Sequence, residues 1–162
     1  RRTVHIGEHL ALQFEDELTV RYQIQEMLRI ERIFEEDGIR SELDAYNPLV
    51  PDGSNWKATL LLEYPDPQER RARLAELKGI EHRTWVQVEG CERVYAIADE
   101  DVERENEEKT SSVHFLRFEL APEMVRALQR GAGLAMGTDH PHYQASAQIG
   151  PETRNSLTED LA

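Results

Sequence analysis

The stretch SSVHFLRFEL, residues 111–120, alternates strictly: His114, Leu116, Phe118 and Leu120 share one phase, and Val113, Phe115, Arg117 and Glu119 share the other. Successive side chains leave a strand on opposite sides, so a period of two marks a strand with one face buried. The second phase is the more polar. The first therefore faces a core and takes His114 inward with it. Working outward, HLALQFED (9–16) repeats the alternation with Leu10, Leu12 and Phe14, and WKATLLLEY (56–64) reads as a strong strand. TWVQVEG (84–90) and RVYAIAD (93–99) read as two strands joined by a tight turn at Glu89, Gly90 and Cys91.

Helices come singly between these strands. From Asp16 or Glu17 to about Asp37 the period lengthens to that of a helix, with Gly38 as its expected stop. PDPQERRARLAELKG (65–79) opens at Pro67 and closes at Gly79, and APEMVRALQRGAG (121–133) repeats the Pro-to-Gly pattern. NPLVPDGSN (47–55) is irregular because of its prolines and glycine. Strands in succession with solitary helices predict an α+β fold: a mainly antiparallel sheet of about five strands with about three helices packed against it. The expected organisation is a single α+β domain over residues 1–162, in which residues 136–162 form an extended tail packed on the domain. The chain opens mid-pattern at RRTVHIG, which leads us to expect a preceding native segment.

Bulk properties exclude several function classes. The chain is 39% hydrophobic and 31% charged, and it has no apolar run near the roughly 20 residues of a membrane-spanning helix. A formal charge of −13 argues against nucleic acid, whose binding rests on Lys and Arg at phosphates, and favours a basic surface on another protein. The acidic run DEDVERENEEK (99–109) reads first as a solvated segment and second as a recognition surface. A lone Cys91 precludes an intramolecular disulfide, fits a reducing cytoplasm and argues against a thiolate zinc site. GAGLAMG (131–137) follows a helix instead of opening one, so it lacks the dipole end that holds a phosphate.

One helical residue stands out. At about 100° per residue, Val20, Ile24, Met27, Leu28, Ile30 and Phe34 form one arc, and Glu31 falls within roughly 40° of its centre, with Glu35 at the border. A buried carboxylate must protonate, pair or bind a metal. Pairing with Arg29, Arg32 or Arg117, or a rotation that leaves Glu31 at the edge, is the plainer expectation. The sharper one is a divalent-metal site for iron, manganese or zinc made by Glu31, Glu35 and His114, although the Glu-x-x-His pairs of helical di-iron sites are absent. In TDHPHY (138–143), His140 and His142 with Asp139 form a second, weaker constellation whose best role is to close over such a site. His5, His9 and His82 show no partner in sequence.

The blocks FEDELTVRYQIQEMLRIERIFE, ELDAYNPLVPDGSNWKATLLLEYPD, VYAIADEDVERENEEKTSSVHFLRFEL and DHPHY, in that order, resemble a bacterial family known as domain of unknown function 3501. The resemblance runs through nearly the whole chain. It implies an additional N-terminal segment of a few tens of residues and the company of a rubrerythrin and an iron–sulfur oxidoreductase of heterodisulfide-reductase type. It implies no catalytic residues. The leading functional expectation is thus a cytoplasmic accessory or binding protein working with redox or oxidative-stress partners. A metal-dependent enzyme or carrier is the second reading, and a structural homodimer the third.

Overall fold

The structure, a computed structural model, describes residues 2–32, 35–46, 51–98 and 110–162. The acidic run 99–109, Phe34 and the first part of the 47–55 loop lie outside the described residues.

SSVHFLRFEL forms β7 (Val113–Glu119) near the middle of a five-stranded sheet. It pairs with β3 (Asn55–Leu62), which pairs with β2 (Leu10–Glu15), which pairs with β1 (Thr3–Ile6); the short β6 (Ile97–Ala98) lines the far edge of β7. Every pairing is antiparallel. Register places Trp56 opposite Phe118, Ala58 opposite Leu116 and Leu60 opposite His114. The buried phase is therefore continuous across the strands: Leu12, Leu60 and His114 form one row, Phe14, Ala58 and Leu116 the next.

The α+β class with antiparallel strands is as expected, but the described residues hold nine strands in two sheets. The second sheet runs β5 (Val94–Tyr95), β4 (Thr84–Val88), β8 (Leu134–His140), β9 (Tyr143–Gln148). Only Ala96 separates β5 from β6, and its N–H donates to the Thr84 carbonyl at 2.8 Å, so one short passage joins both sheets. A single apolar cluster lies across them, with Leu12, Leu60, Leu116 and Phe118 from one sheet and Val86, Val88, Leu134 and Met136 from the other.

The expected tail at 136–162 is corrected by this sheet: those residues supply most of β8, all of β9, and α5 (Pro151–Thr158). Their Gly, Ser and His content suggested a loop because the outer face of β8 needs small residues. A Cβ on Gly137 would sit 2.6 Å from the Ala145 carbonyl oxygen and 2.7 Å from Trp85 Cζ2. α5 plugs the core with buried Leu157, whose carbonyl accepts the Trp56 indole N–H at 2.9 Å.

α1 (Glu17–Glu31) is capped by Asp16, whose carboxylate accepts from the Thr19 N–H while Thr19 Oγ1 accepts from the Asp16 N–H. Such caps contribute about 1 kcal/mol. The helix stops six residues before Gly38, at a left-handed Arg32 with φ 54°, and Gly38 lies inside α2 (Glu36–Tyr46), which packs chiefly against α1. α3 (Pro67–Glu76) and α4 (Pro122–Gln129) begin at their prolines as expected, burying Leu74 and Val125 with Leu128.

Candidate functional site

Alternation along β7 turns His114 into the core, where it is 1% exposed. A carboxylate meets it there, from an unexpected source. After α3 the chain makes a 3₁₀ turn, Ile80–His82, that buries both Ile80 and Glu81. Glu81 Oε2 lies 3.6 Å from His114 Nε2, and Oε1 lies 3.6 Å from Nε2 of the exposed His82. Both separations exceed hydrogen-bond distance. His114 Nε2 instead shares a 2.8 Å hydrogen bond with Thr110 Oγ1, and Glu81 Oε2 has no hydrogen-bond partner. Both Glu81 and His114 are shut off from a dissolved substrate. Sequence reasoning missed Glu81 because a three-residue turn carries no period to read.

Glu31 is corrected. It is exposed, as is Glu35, and neither joins His114; among the described residues no three His, Cys, Asp or Glu side chains gather as a ligand set. Its angle around the helix agrees with that of buried Val20 and Ile24, but its position along the axis does not. Seven residues at about 1.5 Å each carry Glu31 roughly 10 Å beyond Ile24. Over that distance Met27 and Leu28 are only half-buried and Ile30 is exposed, so α1 overshoots the surface it packs on.

A second buried carboxylate also went unread. Glu15, at the end of β2, accepts from Thr19 Oγ1 at 2.7 Å, from Gln23 Nε2 at 3.1 Å and from Thr59 Oγ1 at 3.1 Å, pinning the start of α1 to the sheet.

His140 and His142 do not close over His114. His140 is buried at the end of β8; its Nδ1 accepts the His142 N–H at 3.1 Å, so Nε2 donates to the Lys78 carbonyl at 2.8 Å. Both ring nitrogens are thereby spent on backbone, which leaves no lone pair for a metal. Asp139 faces the other side of the strand and accepts from Arg83 Nε at 2.6 Å and from the Tyr95 hydroxyl at 2.5 Å, with Arg93 at 3.7 Å. Burial pushes its carboxyl up, but those hydrogen bonds and the two guanidinium charges outweigh it and hold Asp139 below the usual carboxylate range.

Residues 1–161 match the family described as "Protein of unknown function (DUF3501)". The chain belongs to that family. A solved crystal structure, that of a novel protein of unknown function from Burkholderia pseudomallei K96243, is 60% identical, with a TM-score of 0.92 over 99% of this chain and 84% of that one. No protein of curated function matches.

The outer face of α1 carries a further feature. Leu18, Tyr22 and Ile30 are 72%, 63% and 66% exposed, and Leu43 of α2 is 39% exposed. Steps of four residues drift about 40° around a helix, so Leu18, Tyr22 and Ile30 turn through about 120° from first to last, a broad stripe that has Glu26 within it. Exposed single apolar residues are ordinary, but several large ones on one helix are a mark of interaction surfaces. Charges lie within and beside it: Glu26 pairs with Arg29 at 2.7 Å and Glu36 with Arg40 at 2.9 Å, and Glu31, Glu35 and Asp37 stand exposed. No helix among the described residues is long and apolar enough to cross a membrane.

Proposed function

We propose that this DUF3501 protein is a cytoplasmic accessory protein that docks onto a partner protein through the outer stripe of α1. The observation that carries the reading is the exposure of three large apolar side chains, Leu18, Tyr22 and Ile30, on the one helix that also buries Val20 and Ile24. The fitting partner presents an apolar groove framed by Lys and Arg, since the chain bears a net charge of −13 and the end of the stripe carries Glu31, Glu35 and Asp37. The partners to try first are those that the family resemblance implies, a rubrerythrin and an iron–sulfur oxidoreductase. The buried Glu81–His114 couple supports this reading over an enzymatic one, because neither group reaches solvent.

The test is a binding titration of each purified partner against the parent chain and a Leu18→Ser, Tyr22→Ser, Ile30→Ser variant, at low and high salt. The parent is expected to bind one of them, with affinity that falls as salt rises and by about tenfold or more in the variant. Failure of the parent to bind either partner, or equal binding by the variant, overturns the proposal. Light scattering on the same samples separates a second copy as occupant: a parent dimer that the variant dissolves makes the stripe a homodimer interface instead.

A further inference from the structure

A cleft of about 300 Å³ opens on the outer face of the second sheet, lined by Trp85, Arg93, Thr138, Asp139, Gln144 and Ser146. Its floor follows from register. Tyr95, Trp85, Gly137 and Ser146 form one row across the four strands, and because Gly137 has no side chain the Trp85 indole lies over β8. The Arg93 guanidinium stacks on that indole, 4.0 Å from the ring centroid, while Arg83 covers Tyr95 at 4.9 Å.

What matters for binding is which polar groups are already used. Asp139 is the cleft's carboxylate, and its oxygens are taken by Arg83 and Tyr95. Arg93 approaches Asp139 at 3.7 Å, too far for a hydrogen bond, and keeps its planar fork open. The Trp85 indole N–H, on a side chain 4% exposed, has no hydrogen-bond partner. Buried donors are costly to leave unmet, and this one sits in the wall of a cleft. Gln144 and Ser146 add exposed donors at the rim. Among the described residues Arg93 is the one cation in the cleft's lining, and Arg83 beside it engages the Asp139 carboxylate at 2.6 Å.

We infer that the cleft binds a small oxyanion, a carboxylate or phosphate carried on a compact body. Its oxygens meet the Arg93 fork and the Trp85 N–H, and its body lies along the cleft beside Gln144 and Ser146. A guanidinium fork matches the two oxygens of such a group in one plane. The site is separate from the α1 stripe, so it stands or falls independently of partner docking.

The chain has two tryptophans, so its indole N–H region in a ¹H–¹⁵N spectrum holds two resonances. Trp56 is fully buried with its N–H already bonded, which makes it an internal control. Benzoate, inorganic phosphate and neutral benzamide are titrated at constant ionic strength into the full chain and its Arg93→Gln variant; a Trp85→Phe sample assigns the peaks. Benzoate or phosphate is expected to shift the Trp85 resonance saturably, leave Trp56 in place and bind about tenfold or more weakly to Arg93→Gln. Response to benzoate alone assigns a carboxylate ligand, and response to phosphate alone a phosphate ester. No saturable shift with either anion, an equal shift with benzamide, or unchanged affinity in Arg93→Gln overturns the inference. Arg93 is substantially exposed, so its variant keeps the fold, and an unmoved Trp56 resonance verifies that.

Discussion

Glu15 and Glu81 are both nearly sealed from solvent, at 3% and 5% exposure, yet the two regions treat a carboxylate in opposite ways. Glu15 collects three donors, from Thr19, Gln23 and Thr59, and so ties the first turns of α1 to the five-stranded sheet. Glu81 sits between two imidazoles at 3.6 Å, and its Oε2 meets no donor at hydrogen-bond distance. Burial alone does not say what a carboxylate does for the fold. An answered one stabilises a docking; an unanswered one costs free energy that packing elsewhere must offset. The same contrast recurs between the tryptophans, with Trp56 bonded to Leu157 and Trp85 unpartnered above an open cleft.

The sharpest way to break this comparison is Glu15→Ala. It strands three donors and frees the start of α1, and we expect a loss of about 2–4 kcal/mol in chemical denaturation. A loss below about 1 kcal/mol would mean that water answers those donors equally well. Thr59→Val removes one donor at nearly constant shape, and we expect about 1–2 kcal/mol by the same measurement.

Asp139 is an intermediate case, answered but a quarter exposed, with Arg83 and Arg93 each more than 40% exposed. Asp139→Asn should cost no more than about 1 kcal/mol at neutral pH. Its pH dependence carries more information. The folded-state carboxyl is held below its ordinary range, so its contribution is complete above the unfolded value of about 3.9 and is lost as pH falls through the lower folded value. In thermal melts from neutral to acid pH, Asp139→Asn should flatten that part of the decline; identical profiles would remove Asp139 from the acid response.

Glu81→Gln has the smallest expected effect, within about 1 kcal/mol of the parent and of either sign, because it removes a charge with no hydrogen-bonded partner on Oε2. A loss as large as that of Glu15→Ala would show that Glu81 and His114 form a charged pair in solution and that the contrast between the two carboxylates is false.

Much of the first sheet and little of the polar interior were legible in the chain. The alternation of His114, Leu116, Phe118 and Leu120 gave the inward face of β7 correctly, since side-chain direction in a strand is local geometry. The helical arc placed Glu31 at the correct angle and wrong depth, because a wheel projection discards distance along the axis. Glu81 carried no signal at all: it lies in a turn too short for a period, and the His114 beside it comes from β7, some thirty residues on. β5 has two residues and β8 is interrupted by Gly137, so the second sheet exists through pairing with distant strands and not through its own pattern.

The sequence by itself determined the α+β class, the strands with strict alternation, the proline-opened helices and the inward turn of His114, all set within a few residues by backbone geometry. Only the tertiary structure decided how far α1 extends beyond the sheet, which carboxylate joins His114, and that β8 and β9 pair with β4 and β5 in a second sheet. Those outcomes rest on contacts between segments tens of residues apart, and no local period encodes them.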